Sequence, residues 1–291
     1  MSVHTTAASK IQRHSGVFHH AGKKIPFYFW SHTDGGPPDT VIFLGAGQIG
    51  RIPQWVVRNA GVGVVAVEGL PHWETTTKTE DIAQFCKAYI ASALHAVLTT
   101  FKLPTIHMIA ESQAVPGSVI TALTHIDTVQ NIALVRPLGF SVQAFGGTEQ
   151  ERFRTFRKRV LQTTLQLART LLRDPRNIGV GLVMLRAGMR EPTITALTQK
   201  YIVGISYDLL EECRQLARQQ RQKGASLAIL LGTDDRLFPA TEVRAALTSK
   251  GVSNILIEDI PHTTHGSLAT RSSKAILRHA LRVVRSRQTT M

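Results

Sequence analysis

The sequence predicts an α/β protein: a mostly parallel, doubly wound sheet with an inserted helical cap. Three observations predict it. Short apolar runs such as Val41–Leu44, Asn131–Val135 and Leu227–Leu231 read as strands buried on both faces. Stretches of helical period stand between such runs, as in the apolar positions from Ile82 to Leu98. The strand–helix alternation breaks once, between Ser141 and Gly224, where the signals are mostly helical. The expected organisation is a core of residues 1–140 and 225–291, with residues 141–224 as the cap.

Size and composition fit this class. The 291 residues suffice for one large domain with an insertion, and 43% hydrophobic content supports a packed core. The two cysteines, Cys86 and Cys213, fall in helix-like segments and read as small core residues, which fits a reducing, cytoplasmic setting. No stretch reaches the roughly 18 apolar residues of a membrane span, and no secretory leader is visible. The net charge of +14 raises the question of nucleic acid. The basic residues are scattered, and Arg278, Arg282, Arg285 and Arg287 are spaced as one solvated helix face. Specific nucleic-acid binding is not expected.

In chain order, residues 1–15 are polar and read as loose. Val17–Trp30 reads as a hairpin around Ala21-Gly22-Lys23-Lys24. Val41–Leu44 runs into Gly45-Ala-Gly-Gln-Ile-Gly50, and a short helix is expected from Pro53 to Ala60. Val62–Val67 is the next strand, followed by the loop Glu68–Trp73. Thr77–Glu80 and Thr148–Glu151 both have the form of a capping box. Within the cap, apolar residues from Phe153 to Leu172 form one stripe, Pro192 fits a helix start, and Ser206 fits a helix cap. The alternation resumes with Leu227–Leu231, a helix from Thr241, a strand Asn254–Ile257 and a last helix from Ser272.

The chemistry-bearing stretch is Thr105–Gly117. An apolar run stops at Ala110-Glu-Ser-Gln-Ala114, and a helical stretch follows. Strand, sharp turn and helix, with Ser112 at the apex and small residues two positions either side, is the pattern of a nucleophile elbow. Gln113 would then aim its backbone N–H at the space the hydroxyl faces. Gly232-Thr-Asp-Asp-Arg-Leu-Phe-Pro239 follows a strand and offers Asp234 or Asp235. Ile260-Pro-His-Thr-Thr-His265 follows the last strand and offers His262 or His265. Serine, acid and base therefore stand after three strands, in that order. A hydroxyl needs an imidazole to take its proton, and the imidazole needs a carboxylate to hold it.

On these motifs the chain resembles the α/β-hydrolase superfamily, over nearly its whole length. The elbow, the Gly232-x-x-Asp235-x-x-x-Pro239 turn and His265-Gly266 carry the resemblance. It implies Ser112 as nucleophile, Asp235 as acid, His265 as base, and an oxyanion hole from Gln113 with Ala46 or Gly47. The usual His-Gly of the oxyanion loop is replaced by Gly45-Ala46-Gly47. His72 and Trp73 are candidates for the pocket wall. The implied activity is that of a serine hydrolase acting on a small acyl substrate, with no cofactor and no metal. Two rival readings remain: Gly45–Gly50 is also a literal dinucleotide fingerprint with Glu68 downstream, and the same fold serves as a non-catalytic binding protein.

Overall fold

The computed structural model describes residues 11–33, 36–45, 50–70, 79–173, 178–179, 207–253, 255–265, 268, 270 and 273–286. Its centre is an eight-stranded sheet in the order β1-β2-β4-β3-β5-β6-β7-β8. The strands are β1 (Ile11–His20), β2 (Lys23–His32), β3 (Thr40–Phe43), β4 (Val64–Val67), β5 (Ile106–Glu111), β6 (Val129–Val135), β7 (Leu227–Gly232) and β8 (Leu256–Ile260). β1, β2 and β4 pair antiparallel, and every other pairing is parallel.

The side chains of the central strands alternate between two cores, as the twofold period of a strand requires. Val41 and Phe43, Met108 and Ala110, Ile132 and Leu134 face one core. Ile42 and Leu44, Ile109, Ala133 and Val135 face the other. Helices α2 (Thr79–Phe101), α3 (Ala114–Thr124), α5 (Leu210–Gln222) and α6 (Ala240–Ser249) cover the first core. Helices α1 (Ile52–Ala60) and α7 (Lys274–Arg285) cover the second. α3 and α2 approach closely at Gly117, where a Cβ would stand 2.7 Å from the Cys86 carbonyl oxygen. Cys86 and Cys213 are both buried and neither forms a disulfide, and burial pushes the Cys213 thiol up to about 12.

Several expectations shift. β1 begins at Ile11, so residues 11–15 are strand rather than loose chain. Only Phe18 of this edge strand is fully buried, which leaves little apolar signal to read. Its ladder to β2 and the His14 ring, stacked on Phe29 at 5.0 Å, hold it instead. The hairpin turn is Ala21-Gly22, both at positive φ (48° and 74°), the geometry of a two-residue primed turn. β8 runs on through Glu258 and Asp259 to Ile260; it is the other edge strand, so polar residues are tolerated there. α1 starts at Ile52, and Pro53 lies in its first turn, where proline fits.

The predicted insertion is described in part. A 3₁₀ turn (Val142–Phe145) leads to α4 (Glu149–Arg173). The Thr148–Glu151 capping box is present: Glu151 N–H donates to Thr148 Oγ1 at 3.3 Å, and Thr148 N–H to Glu151 Oε2 at 2.9 Å. Of the apolar stripe, Phe156 is buried, while Leu161 and Leu165 are 62% and 53% exposed. Pro192 and Ser206 lie outside the described residues, as do Thr77 and Lys78 of the Thr77–Glu80 box. α5 packs on α3 and β7, in the helix layer of the sheet itself. It starts at Leu210, whose N–H donates to Asp208 Oδ1 at 3.0 Å, and it is followed by Gly224 at φ 67°.

Candidate active site

β5 ends at Glu111, and Ser112 turns the chain with φ 49°, a left-handed conformation that non-glycine residues rarely adopt. Gln113 caps α3, and Ala114 begins it. The Ser112 N–H donates to the Val135 carbonyl at 3.0 Å, which fixes the turn to the neighbouring strand. The predicted strand–turn–helix is therefore present, with Ser112 raised at the carboxyl edge of the sheet. Ala110 and Ala114 are completely buried, as the tight turn demands of its flanking residues.

Asp235 and His265 come to the same place. The Ser112 Oγ lies 2.9 Å from His265 Nε2, and His265 Nδ1 lies 2.8 Å from Asp235 Oδ2. Asp235 accepts from Nδ1, which assigns the ring proton there and leaves Nε2 to accept from the serine hydroxyl. The second carboxylate oxygen of Asp235 accepts the N–H groups of Leu237 and Phe238 at 2.9 and 3.0 Å. The Asp235 side chain is 1% exposed and the His265 ring 12%. The ring thus keeps a narrow face to solvent, while its partner is sealed. Phe238 packs edge-on against the imidazole at 5.2 Å between centroids.

The turn carrying Asp235 and the loop carrying His265 are built into one another. The Thr233 N–H donates to the Ile260 carbonyl at 3.2 Å, and Asp234 N–H to the Thr263 carbonyl at 3.1 Å. Gly232 makes this approach feasible, because a Cβ there would stand 2.5 Å from the Thr263 oxygen. The glycine of the acid turn is therefore a packing requirement, not a flexible joint.

The competing residues separate clearly. Asp234 is exposed, and its carboxylate lies 4.0 Å from the ring of His262, which is itself 93% exposed. His262 sits at φ 56°, a turn residue at the surface. Neither Asp234 nor His262 joins the Ser112 cluster. Ala46 and Gly47 of the expected oxyanion loop lie outside the described residues, as do His72 and Trp73. Glu68, the acidic residue of the fingerprint reading, is taken up internally. Its two oxygens accept the N–H groups of Gly50 and Tyr28, each at 3.0 Å. Burial pushes its carboxyl above the ordinary range, against those two bonds.

Sequence reasoning missed Arg136. It follows β6 at φ 48°, fully buried, with its guanidinium paired to Glu111 and donating to the Thr264 carbonyl at 2.6 Å. A lone arginine inside an apolar run, next to a strand end, was the available signal. The anchoring of α4 was also unseen. Arg159 holds both oxygens of Glu242 at 2.8 Å and lies 4.4 Å above the Phe145 ring, and Gln166 donates to the Asp234 carbonyl at 3.0 Å.

By sequence, the chain matches no protein-family profile and no curated protein. Its structure is similar to many solved ones. The 2-hydroxy-6-oxo-6-phenylhexa-2,4-dienoate hydrolase of a Rhodococcus species is 13% identical, with a TM-score of 0.60 over 94% of this chain and 100% of that one. An N-acyl homoserine lactone degrading enzyme is 13% identical, with a TM-score of 0.58 over 92% and 99%. Naproxen esterase from Bacillus subtilis is 14% identical, with a TM-score of 0.55 over 93% and 90%. With this strand order, this turn at Ser112 and agreement over nearly the whole length, the chain has the α/β-hydrolase fold.

Proposed function

We propose that the protein is a serine hydrolase acting through an acyl-enzyme on a small carboxylic ester or related acyl substrate. One observation carries this reading: the continuous hydrogen-bonded line from Ser112 Oγ through His265 to Asp235, at 2.9 and 2.8 Å, on a turn with φ 49°. His265 Nε2 takes the Ser112 proton as Oγ attacks the acyl carbon. Asp235 stabilises the imidazolium that forms. The oxyanion of the tetrahedral intermediate is held by the Gln113 amide and by one from Ala46 or Gly47. Collapse breaks the bond to the leaving group, which takes the proton from Nε2. Water then enters, gives a proton to Nε2, and releases the acid by the same steps in reverse.

The helical insertion, residues 141–224, contributes α5 to the core layer and its earlier part to a cap near the acid turn. Similar folds that carry esterase, lactone-degrading and dienoate-hydrolase names support an acyl or related substrate of modest size. The internal use of Glu68 favours this reading over the dinucleotide one. No cofactor enters the chemistry, and a reducing, cytoplasmic setting suits the two buried thiols.

A fluorophosphonate probe tests the proposal. The parent protein is expected to be labelled at Ser112, and the Ser112→Ala variant, folded, should lose on the order of 10⁴-fold in kcat on a p-nitrophenyl ester. Turnover by Ser112→Ala at the parental rate overturns the mechanism.

A further inference from the structure

Arg136 has no role in the steps above, yet it is the largest fully buried side chain among the described residues. Its Nη2 pairs with the Glu111 carboxylate, whose side chain is 2% exposed. Its Nη1 donates to the Thr264 carbonyl at 2.6 Å and lies 3.3 Å from Ser273 Oγ. Its own N–H donates to the Leu230 carbonyl at 2.8 Å, which ties its backbone to β7. Its φ of 48° is a conformation that costs a non-glycine residue free energy.

The partners matter by position. Glu111 directly precedes Ser112, and Thr264 directly precedes His265. One rigid guanidinium therefore bridges the residue before the proposed nucleophile and the residue before the proposed base. A buried charge pair is weak evidence of stability, because desolvation offsets the attraction and an apolar pair of similar volume does as well or better. What a planar fork adds is fixed geometry between two acceptors. We propose that Arg136 is a positioning residue for the hydrolysis, setting the distance from Ser112 Oγ to His265 Nε2 by clamping both neighbours. This rests on the reading of Ser112, His265 and Asp235 as the reacting groups.

The test separates positioning from mere bracing. The double variant Arg136→Met with Glu111→Leu replaces the ion pair by an apolar one and leaves no unpaired buried charge. Its thermal unfolding should stay near that of the parent and its KM within about threefold, while kcat and the rate of fluorophosphonate labelling at Ser112 fall on the order of 10²-fold. A structural brace moves stability and leaves those two rates alone, so a folded double variant with parental kcat overturns the proposal. Where the double variant fails to fold, Arg136→Lys decides. It keeps the charge beside Glu111 but not the fork, and kcat should drop by about tenfold or more with KM unchanged. A parental kcat in Arg136→Lys overturns the proposal. Lack of labelling in the parent protein overturns the hydrolase reading and this inference with it. A labelled parent with equally fast variants overturns the positioning role alone.

Discussion

Gly232→Ala tests whether the acid turn and the histidine loop must touch for the site to work. The added methyl would stand 2.5 Å from the Thr263 carbonyl oxygen and 2.8 Å from its hydroxyl oxygen. Ordinary contact begins near 3.4 Å, so Thr263 has to retreat by about 0.9 Å. The nearest clash is with backbone, which has no rotamer to escape into. Thr263 is two residues before His265, and its carbonyl accepts the Asp234 N–H. A retreat of this size carries the imidazole away from Asp235, Ser112 or both. Overpacking of this kind costs about 1–3 kcal/mol in stability. Misplacement by about 1 Å costs on the order of 10²-fold in rate. The assay is kcat and KM on a p-nitrophenyl ester, beside a urea unfolding curve. The expected result is a folded protein with kcat lowered about 10²-fold and KM little changed. If a folded Gly232→Ala keeps kcat within about threefold of the parent, the reasoning that contact at Gly232 sets the site is wrong.

Three further outcomes are expected. Asp235→Asn should lower kcat by on the order of 10⁴-fold, because the amide oxygen stays with the Leu237 and Phe238 N–H groups and the NH2 then donates to Nδ1, favouring the wrong ring tautomer; steady-state kinetics across pH check it. His262→Asn, a substitution that tolerates the positive φ at a fully solvated ring, should leave kcat within about twofold, and a larger loss would revive His262 as the base. Burial lowers the pKa of His14 below its ordinary 6.5, so the unfolded chain takes up the proton more readily than the folded one. Stability linked to His14 is therefore full above about pH 6.5 and is lost as pH falls through the lowered value. Urea unfolding of the parent and of His14→Phe, compared at stepped pH, should show their difference changing in that window and nowhere above it.

How legible the molecule was depends on what each residue's signal rests on. Strands buried on both faces, such as Val41–Leu44 and Leu227–Leu231, announce themselves by unbroken apolar runs. β1 and the end of β8 did not, because an edge strand buries few side chains and owes its place to ladder hydrogen bonds that any residue supplies. Ser112, Asp235 and His265 could be singled out because the proposed role of each needs a particular residue type just after a strand. His262 and Asp234 offered the same types; the resemblance favoured Asp235 and His265, and the fold separates them in space: one ring lies in solvent, the other over Phe238. The proposed role of Arg136 was illegible. Its partners are Glu111 in β5 and the carbonyl of Thr264, and no local pattern reports a hydrogen bond from a side chain to a distant backbone.

The hydrogen bond between Ser112 and His265 joins residues 153 positions apart. During synthesis the proposed nucleophile emerges long before its proposed base, and the turn with Asp235 comes between them. The sheet reflects this order at its growing edge, where β7 and β8 are the last two strands added. A chain released before residue 265 would hold a serine without an imidazole, and its hydroxyl would be no more reactive than any other. Under the proposed function, hydrolytic competence arrives late, with the docking of the final loop onto the Gly232 turn. On that proposal, proofreading of the fold and onset of activity are the same event: only a molecule whose carboxyl-terminal segment has seated correctly carries Ser112 and His265 in contact.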